Sequence, residues 1–227
     1  MKINLSKKVE AKTLIEGFPG FGLVGTIVTE YLIEHLKCER VGEFHYDELP
    51  ATVAIHKGSL VHPMALYYSK DHNLAILHTI LDVKGFEWAI ADAIVDASKT
   101  LKIKETISIE GVTGSVEDGK LYSFQNKKFE KLGAQNVSES VVMGVTAALL
   151  LRQKNMSCLF AETKSTMPDS RAAAKILEFL DKYLGLDLDT KPLLVQAEIF
   201  ENKLKGMMEQ ANTTTKEASA KQMSYLG

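Results

Sequence analysis

Three glutamates, Glu16, Glu110 and Glu162, each stand at the end of a short apolar run that reads as a strand. In open α/β sheets, ligands gather beyond the carboxyl ends of strands. Two neighbouring carboxylates there can divide acid and base roles or hold a divalent metal, because burial and mutual repulsion push their pKa values apart. The alternative is that all three face solvent or accept hydrogen bonds from the turns that follow. A second candidate is the loop Gly17-Phe18-Pro19-Gly20-Phe21-Gly22. Ahead of a helix, such a loop can present backbone N–H groups and the positive end of the helix dipole to an anion. It lacks the Lys-Ser/Thr ending of a P-loop and the G-x-G-x-x-G spacing of a dinucleotide site. Its two phenylalanines, read as exposed on the loop, suit an apolar contact better than a phosphate.

Other side chains offer catalysis no anchor. The six histidines, His35, His45, His56, His62, His72 and His78, are scattered, and no H-E-x-x-H pair exists. No G-x-S-x-G elbow is present either, since Gly111-Val112-Thr113-Gly114 places a threonine between its glycines. Cys38 and Cys158 are the only two cysteines and stand far apart, so neither a disulfide framework nor a zinc cluster is expected. No catalytic residue, metal or cofactor is therefore expected, and a reducing compartment suits the chain.

The elements that must position these residues follow from periodicity. Thr13–Gly17 reads as a strand, and Leu23–Leu36 as a helix through Leu23, Val24, Ile27, Val28, Tyr31, Leu32 and Leu36. Runs over 40–46, 52–56, 64–68 and 74–80 have strand character, partly as antiparallel hairpins. A helix over 85–101 places Trp88, Ala91, Ile94, Val95 and Ala97 toward a core. A strand over 106–110 closes on the Gly111–Gly114 turn, and Glu117-Asp118-Gly119-Lys120 suits a hairpin turn between Gly114 and Tyr122. Helix 141–153, strand 157–161 and helix 169–184 complete the alternation, the last with Pro168-Asp169 at its start and Gly185 at its stop. Helices alternating with apolar strands predict an α/β fold with a central, mostly parallel or mixed sheet covered on both faces.

Residues 1–189 thus form one domain, 190–211 a C-terminal helix and 212–227 a tail. In the helix, Leu193, Ala197, Phe200, Leu204, Met207 and Ala211 recur four and three apart, as in a coiled-coil seam. The seam either packs on its own domain or joins subunits, in which case Phe200, Leu204 and Met207 carry self-association. The tail is a polar, linker-like stretch that regains apolar character at Met223, Tyr225 and Leu226 before Gly227. It is either a frayed terminus or a mobile anchor with Tyr225 as its aromatic group.

Composition narrows the partners. With 27 basic and 29 acidic residues and a net charge of -2, the chain carries no electrostatic footprint for nucleic acid or an anionic membrane. No run of about 18 apolar residues spans a bilayer, and the N-terminus has no signal-peptide core, so a cytoplasmic protein is expected.

Glu16-Gly17-Phe18-Pro19-Gly20-Phe21-Gly22-Leu23-Val24-Gly25 resembles the N-terminal signature of the proteasome assembly chaperone family, especially its archaeal members. Glu110–Gly114, Gly144–Leu150 and Pro168-Asp169 followed by Ala172–Leu180 agree in order and spacing, so the resemblance covers residues from about 10 to 205. It implies a three-layer α/β/α fold similar to nucleoside phosphorylases but without their activity. It also implies an ATP-independent role in which the chain, a homo-oligomer with tetramers among its relatives, binds proteasome α subunits, α rings or the core particle. In some members a hydrophobic-Tyr-X tail docks between α subunits. Here Met223, Tyr225, Leu226 and Gly227 would do so, although the tyrosine is third from the end instead of penultimate. The alternative is a small-molecule-binding protein or a hydrolase- or phosphorylase-like enzyme with a cleft near Glu16, Glu110 and Glu162.

Overall fold

The computed structural model describes residues 2–46, 53–56, 58–114, 119–163 and 166–189, with isolated helical positions between 192 and 209. In chain order the elements are β1 (Lys2–Leu5), β2 (Thr13–Gly17), α1 (Val24–His35), β3 (Glu39–His45), β4 (Ala54–His56), β5 (Ser59–Val61), β6 (Met64–Ser69) and β7 (Leu74–Thr79). There follow α2 (Glu87–Thr100), β8 (Glu105–Thr113), β9 (Leu121–Phe124), α3 (Lys127–Lys131), β10 (Gln135–Asn136), α4 (Gly144–Arg152), β11 (Met156–Thr163) and α5 (Ser170–Leu184). Nine strands make one mixed sheet in the order β1-β3-β6-β7-β2-β8-β11-β9-β10, while β4 and β5 pair separately.

Strands β7, β2, β8 and β11 run parallel at the centre, and antiparallel strands extend the sheet on both sides. All five residues of β2 are buried, as expected for a strand with parallel neighbours and helices over both faces. The alternation of β2 sends Ile15 into one core with Ile27, Val28 and Leu32 of α1 and Ile176, Leu177 and Leu180 of α5. Leu14 enters the other core, with Ile90 and Ile94 of α2 and Val145 and Leu149 of α4. Three layers, α/β/α, are therefore observed as expected. Helix α5 is bounded by local chemistry: the Asp169 carboxylate accepts from Ala172 N at 3.0 Å, and Gly185 ends the helix in the left-handed conformation.

Four local expectations are corrected. Strand β8 does not stop at a turn over 111–114 but continues through Gly111, Val112 and Thr113, because β11 pairs with it in parallel as far as Thr163. Strand β9 does not form a hairpin with β8. It lies antiparallel to β11, which is inserted between them; positions 117 and 118 of the expected turn lie outside the described residues. Trp88 does not face the core; it is 50% exposed, with the Arg152 guanidinium 4.6 Å above its ring, while Ile90, Ala91, Ile94 and Ala97 form the buried face of α2. Phe18 is buried against Leu14 and Leu77, leaving Phe21 as the exposed aromatic of the glycine loop.

Candidate functional site

Register places the three glutamates on a staircase. In the parallel ladder Glu16 of β2 is level with Ser108 of β8, Glu110 is level with Phe160 of β11, and Glu162 is level with Val112. Alternate residues share a face, so each glutamate stands one same-face step, roughly 7 Å, nearer the carboxyl edge than the last. Burial follows: Glu16 is fully buried, Glu110 is partly covered and Glu162 stands at the outer edge.

The local bonding differs at each step. Neither oxygen of Glu16 makes a well-aligned hydrogen bond, although the Ser108 and Thr146 hydroxyls lie close enough to favour its charged form. Burial pushes its carboxyl up to about 8, and the charge of Glu110 adds to the rise. Glu110 accepts a hydrogen bond from the Thr146 hydroxyl of α4, which in turn lies 2.7 Å from the Ser108 hydroxyl. Burial still raises Glu110 to about 7. At neutral pH this inner pair therefore holds at least one proton, since burial and mutual repulsion both oppose a doubly ionised state. Glu162 accepts from the Tyr122 hydroxyl at 2.6 Å and from Lys120 N at 3.2 Å, and the tyrosine bond holds its carboxyl below the usual range. Cys158 lies on the same face, its thiol pushed up by burial and by the two inner carboxylates, which suits a packing role over a nucleophilic one.

A cleft of about 520 Å³ opens over the two outer steps. Its floor is Glu110, Gly111, Val112 and Phe160; its walls are Phe21, Tyr122, Glu162 and the segment 136–143 that leads into α4. Glu16 is behind the floor and does not line it. The chain thus brings Glu110 and Glu162 together at one cavity and sets Glu16 beneath them. Among the described residues no three His, Cys, Asp or Glu side chains gather as metal ligands.

The glycine loop builds the rim. A Cβ on Gly111 would stand 1.9 Å from the Phe21 carbonyl oxygen, so the loop crosses β8 at a distance only glycine permits. Gly17 and Gly25 meet in the same way where α1 leaves the sheet. Gly22 and Leu23 both adopt positive φ, a left-handed turn that is costly for leucine and is offset by burial of its side chain in the α1 core. The loop's own groups are partly used: Leu23 N donates to Gly20 O at 3.1 Å, and Gly22 O accepts from Asp169 N at 2.8 Å. Gly17 and Gly22 therefore serve close packing, while Phe18 is in the core, Pro19 and Gly20 sit at the surface and Phe21 faces the cleft.

The opposite face carries a polar cluster that sequence reading missed. Glu30 of α1 stands 3.0 Å from His78 Nε2 of β7, without hydrogen-bond alignment at that nitrogen, and 3.0 Å from Lys203 Nζ of the C-terminal segment. The other ring nitrogen of His78 lies 2.9 Å from the Thr29 hydroxyl. Burial opposes the Glu30 charge, but His78 and Lys203 outweigh it and hold the carboxyl down at about 2. Lys203 also reaches Glu34 at 3.5 Å, which ties its segment to α1. The available signal was a histidine and a glutamate on otherwise apolar stripes. Phe200, Leu204 and Met207, and the tail residues Met223, Tyr225, Leu226 and Gly227, lie outside the described residues.

A parallel four-strand centre between two helical layers, with a cleft at the carboxyl ends of β8 and β11, defines a three-layer α/β/α protein. The chain belongs to the PAC2 family, whose sequence pattern matches residues 14–208. It is 31% identical over 221 residues to the uncharacterized protein MJ0106 of Methanocaldococcus jannaschii, covering 92% of each chain. The crystal structure of Pyrococcus furiosus PbaA, an archaeal homolog of proteasome-assembly chaperone, superposes with a TM-score of 0.83 at 29% identity, over 93% of this chain and 98% of that one. Pyrococcus furiosus PbaB, an archaeal proteasome activator, shares the fold with a TM-score of 0.72 at 21% identity, over 90% of this chain and 97% of that one. No helix among the described residues is long and apolar enough to cross a membrane.

Proposed function

We propose that this chain is an ATP-independent proteasome-assembly chaperone-like protein that works by binding proteasome α subunits or their rings, not by catalysis. The observation that carries the reading is family membership together with likeness, at 29% identity and over nearly the whole of both chains, to an archaeal homolog of a proteasome-assembly chaperone. Val141 and Met143, exposed side by side ahead of α4, supply apolar surface that a partner protein can cover. Methionine suits such contacts because its flexible, polarizable side chain adapts to uneven surfaces.

In this reading Met223, Tyr225, Leu226 and the Gly227 carboxylate anchor the partner, and Phe200, Leu204 and Met207 join copies of the chain in a cytoplasmic homo-oligomer. The test is capture of purified α subunits from the same organism by three proteins: the full chain, one ending at residue 211, and Phe200→Glu/Leu204→Glu. Capture by the full chain and its loss on truncation support both the function and the tail; capture retained on truncation moves recognition to the folded domain. No capture by the full chain overturns the function. A double variant that stays oligomeric in analytical ultracentrifugation overturns the assigned seam.

A further inference from the structure

The cleft over Glu110 is chemically one-sided in a way that chaperoning does not explain. Among the described residues Glu110, Glu139 and Glu162 line it, and no lysine, arginine or histidine does. Glu162 is balanced from outside by Lys120 and Lys175, and its carboxylate is engaged by Tyr122. Glu110 receives only the Thr146 hydroxyl, and behind it Glu16 is fully buried with both oxygens short of a hydrogen bond. Between these carboxylates the cleft also presents apolar and aromatic surface, through Phe21, Val142 and Phe160. A volume of about 520 Å³ falls within the range of small-molecule sites, which are mainly apolar with a few convergent polar groups.

We propose that this cleft binds a small organic cation, a protonated primary amine on an apolar or aromatic body, with its ammonium against the Glu110 carboxylate. An acidic recess with low-dielectric apolar patches concentrates cations and rejects anions. The ammonium supplies the positive charge that no described residue lining the cleft places there, and the body of the ligand covers Phe21 and Phe160. A metal ion is a poorer occupant, because no third ligand joins the two carboxylates among the described residues.

The site is also proton-linked. Among the described residues the groups facing Glu110 are Glu16 from β2, Cys158 and Glu162 from β11, Tyr122 from β9, Glu139 from the segment before α4 and the Thr146 hydroxyl from α4, none of them cationic. An amine selects the ionised form of Glu110, whose carboxyl titrates at about 7, so its association constant rises about tenfold between pH 6 and pH 8. A neutral ligand accepting a hydrogen bond from protonated Glu110 shows the opposite slope.

The test is a titration of the full chain with 2-phenylethylamine, its neutral isostere 2-phenylethanol and 3-phenylpropionate, followed by calorimetry and by amide shifts of the cleft residues at pH 6 and pH 8. The amine is expected to bind with the tenfold rise and to shift Gly111 and Val112, with the alcohol and the acid at least tenfold weaker at pH 8. Glu110→Gln should remove that advantage while leaving far-UV circular dichroism unchanged. Val142→Trp, on the cleft wall, should weaken the amine without altering the carboxyl pair. Absence of shifts with millimolar amine at both pH values, equal binding of the alcohol, or binding untouched by both substitutions overturns the site. The inference stands apart from the chaperone reading, since neither result bears on capture of α subunits.

Discussion

Glu16→Gln keeps the shape of a fully buried side chain and removes its titration. The carboxyl has a raised pKa in the fold, about 8 against an ordinary 4.5. Below 4.5 both folded and unfolded chains hold the proton, so stability carries no pH dependence from this group. Between 4.5 and about 8 the unfolded chain releases the proton and the folded chain keeps it. Stability therefore falls as pH rises, by about 1.4 kcal/mol per pH unit. Above 8 both states are ionised and the loss levels off at about 5 kcal/mol. The glutamine variant lacks this slope. Urea unfolding followed by far-UV circular dichroism should then show the variant gaining about 4 kcal/mol on the wild type between pH 5 and pH 9. Glu110 titrates in both proteins and cancels to first order. A difference constant within about 0.5 kcal/mol across that range would mean that Glu16 is ionised in the fold, and the account of the inner pair would be wrong.

Two further outcomes test the loop and the opposite face. Gly111→Ala places a Cβ against the Phe21 carbonyl oxygen and should destabilise by about 3 kcal/mol or more in the same unfolding assay, since the contact is backbone and cannot swing aside. Lys203→Met removes a charge that holds Glu30 low; the Glu30 carboxyl, followed by carbon-13 NMR, should titrate well above 2, and amide exchange around residues 202–206 should quicken. An unchanged Glu30 titration would assign its low value to His78 alone.

Much of the fold was legible in the residues because the signals are local. The apolar pair Leu14 and Ile15 ahead of Gly17 marks β2, and the start and stop of α5 are written in Asp169 and Gly185, whose side chain and left-handed backbone act within one turn of the helix. The staircase was half legible. Glutamates at strand ends were visible as a set, but which of them would be buried depended on the order of strands. Ser108 and Thr146 passed unnoticed as small residues in apolar stretches, although a hydroxyl in such a run is a signal of a buried hydrogen bond.

From the sequence alone came the α/β class, the glycine-rich opening and the family resemblance, because propensity, periodicity and capping depend on neighbours a few positions away. Only the tertiary structure decided that β11 lies between β8 and β9, that Gly111 is a crossing point and not a turn, and that Lys203 ties its segment to Glu30. Strand adjacency joins residues far apart in the chain, Met156 with Thr106 and Glu105 with Thr13, and many pairings satisfy the same hydrophobic pattern. The same adjacency sets one glutamate in the core, one at the floor of a cleft and one at its rim, and so gives three identical side chains three different chemistries.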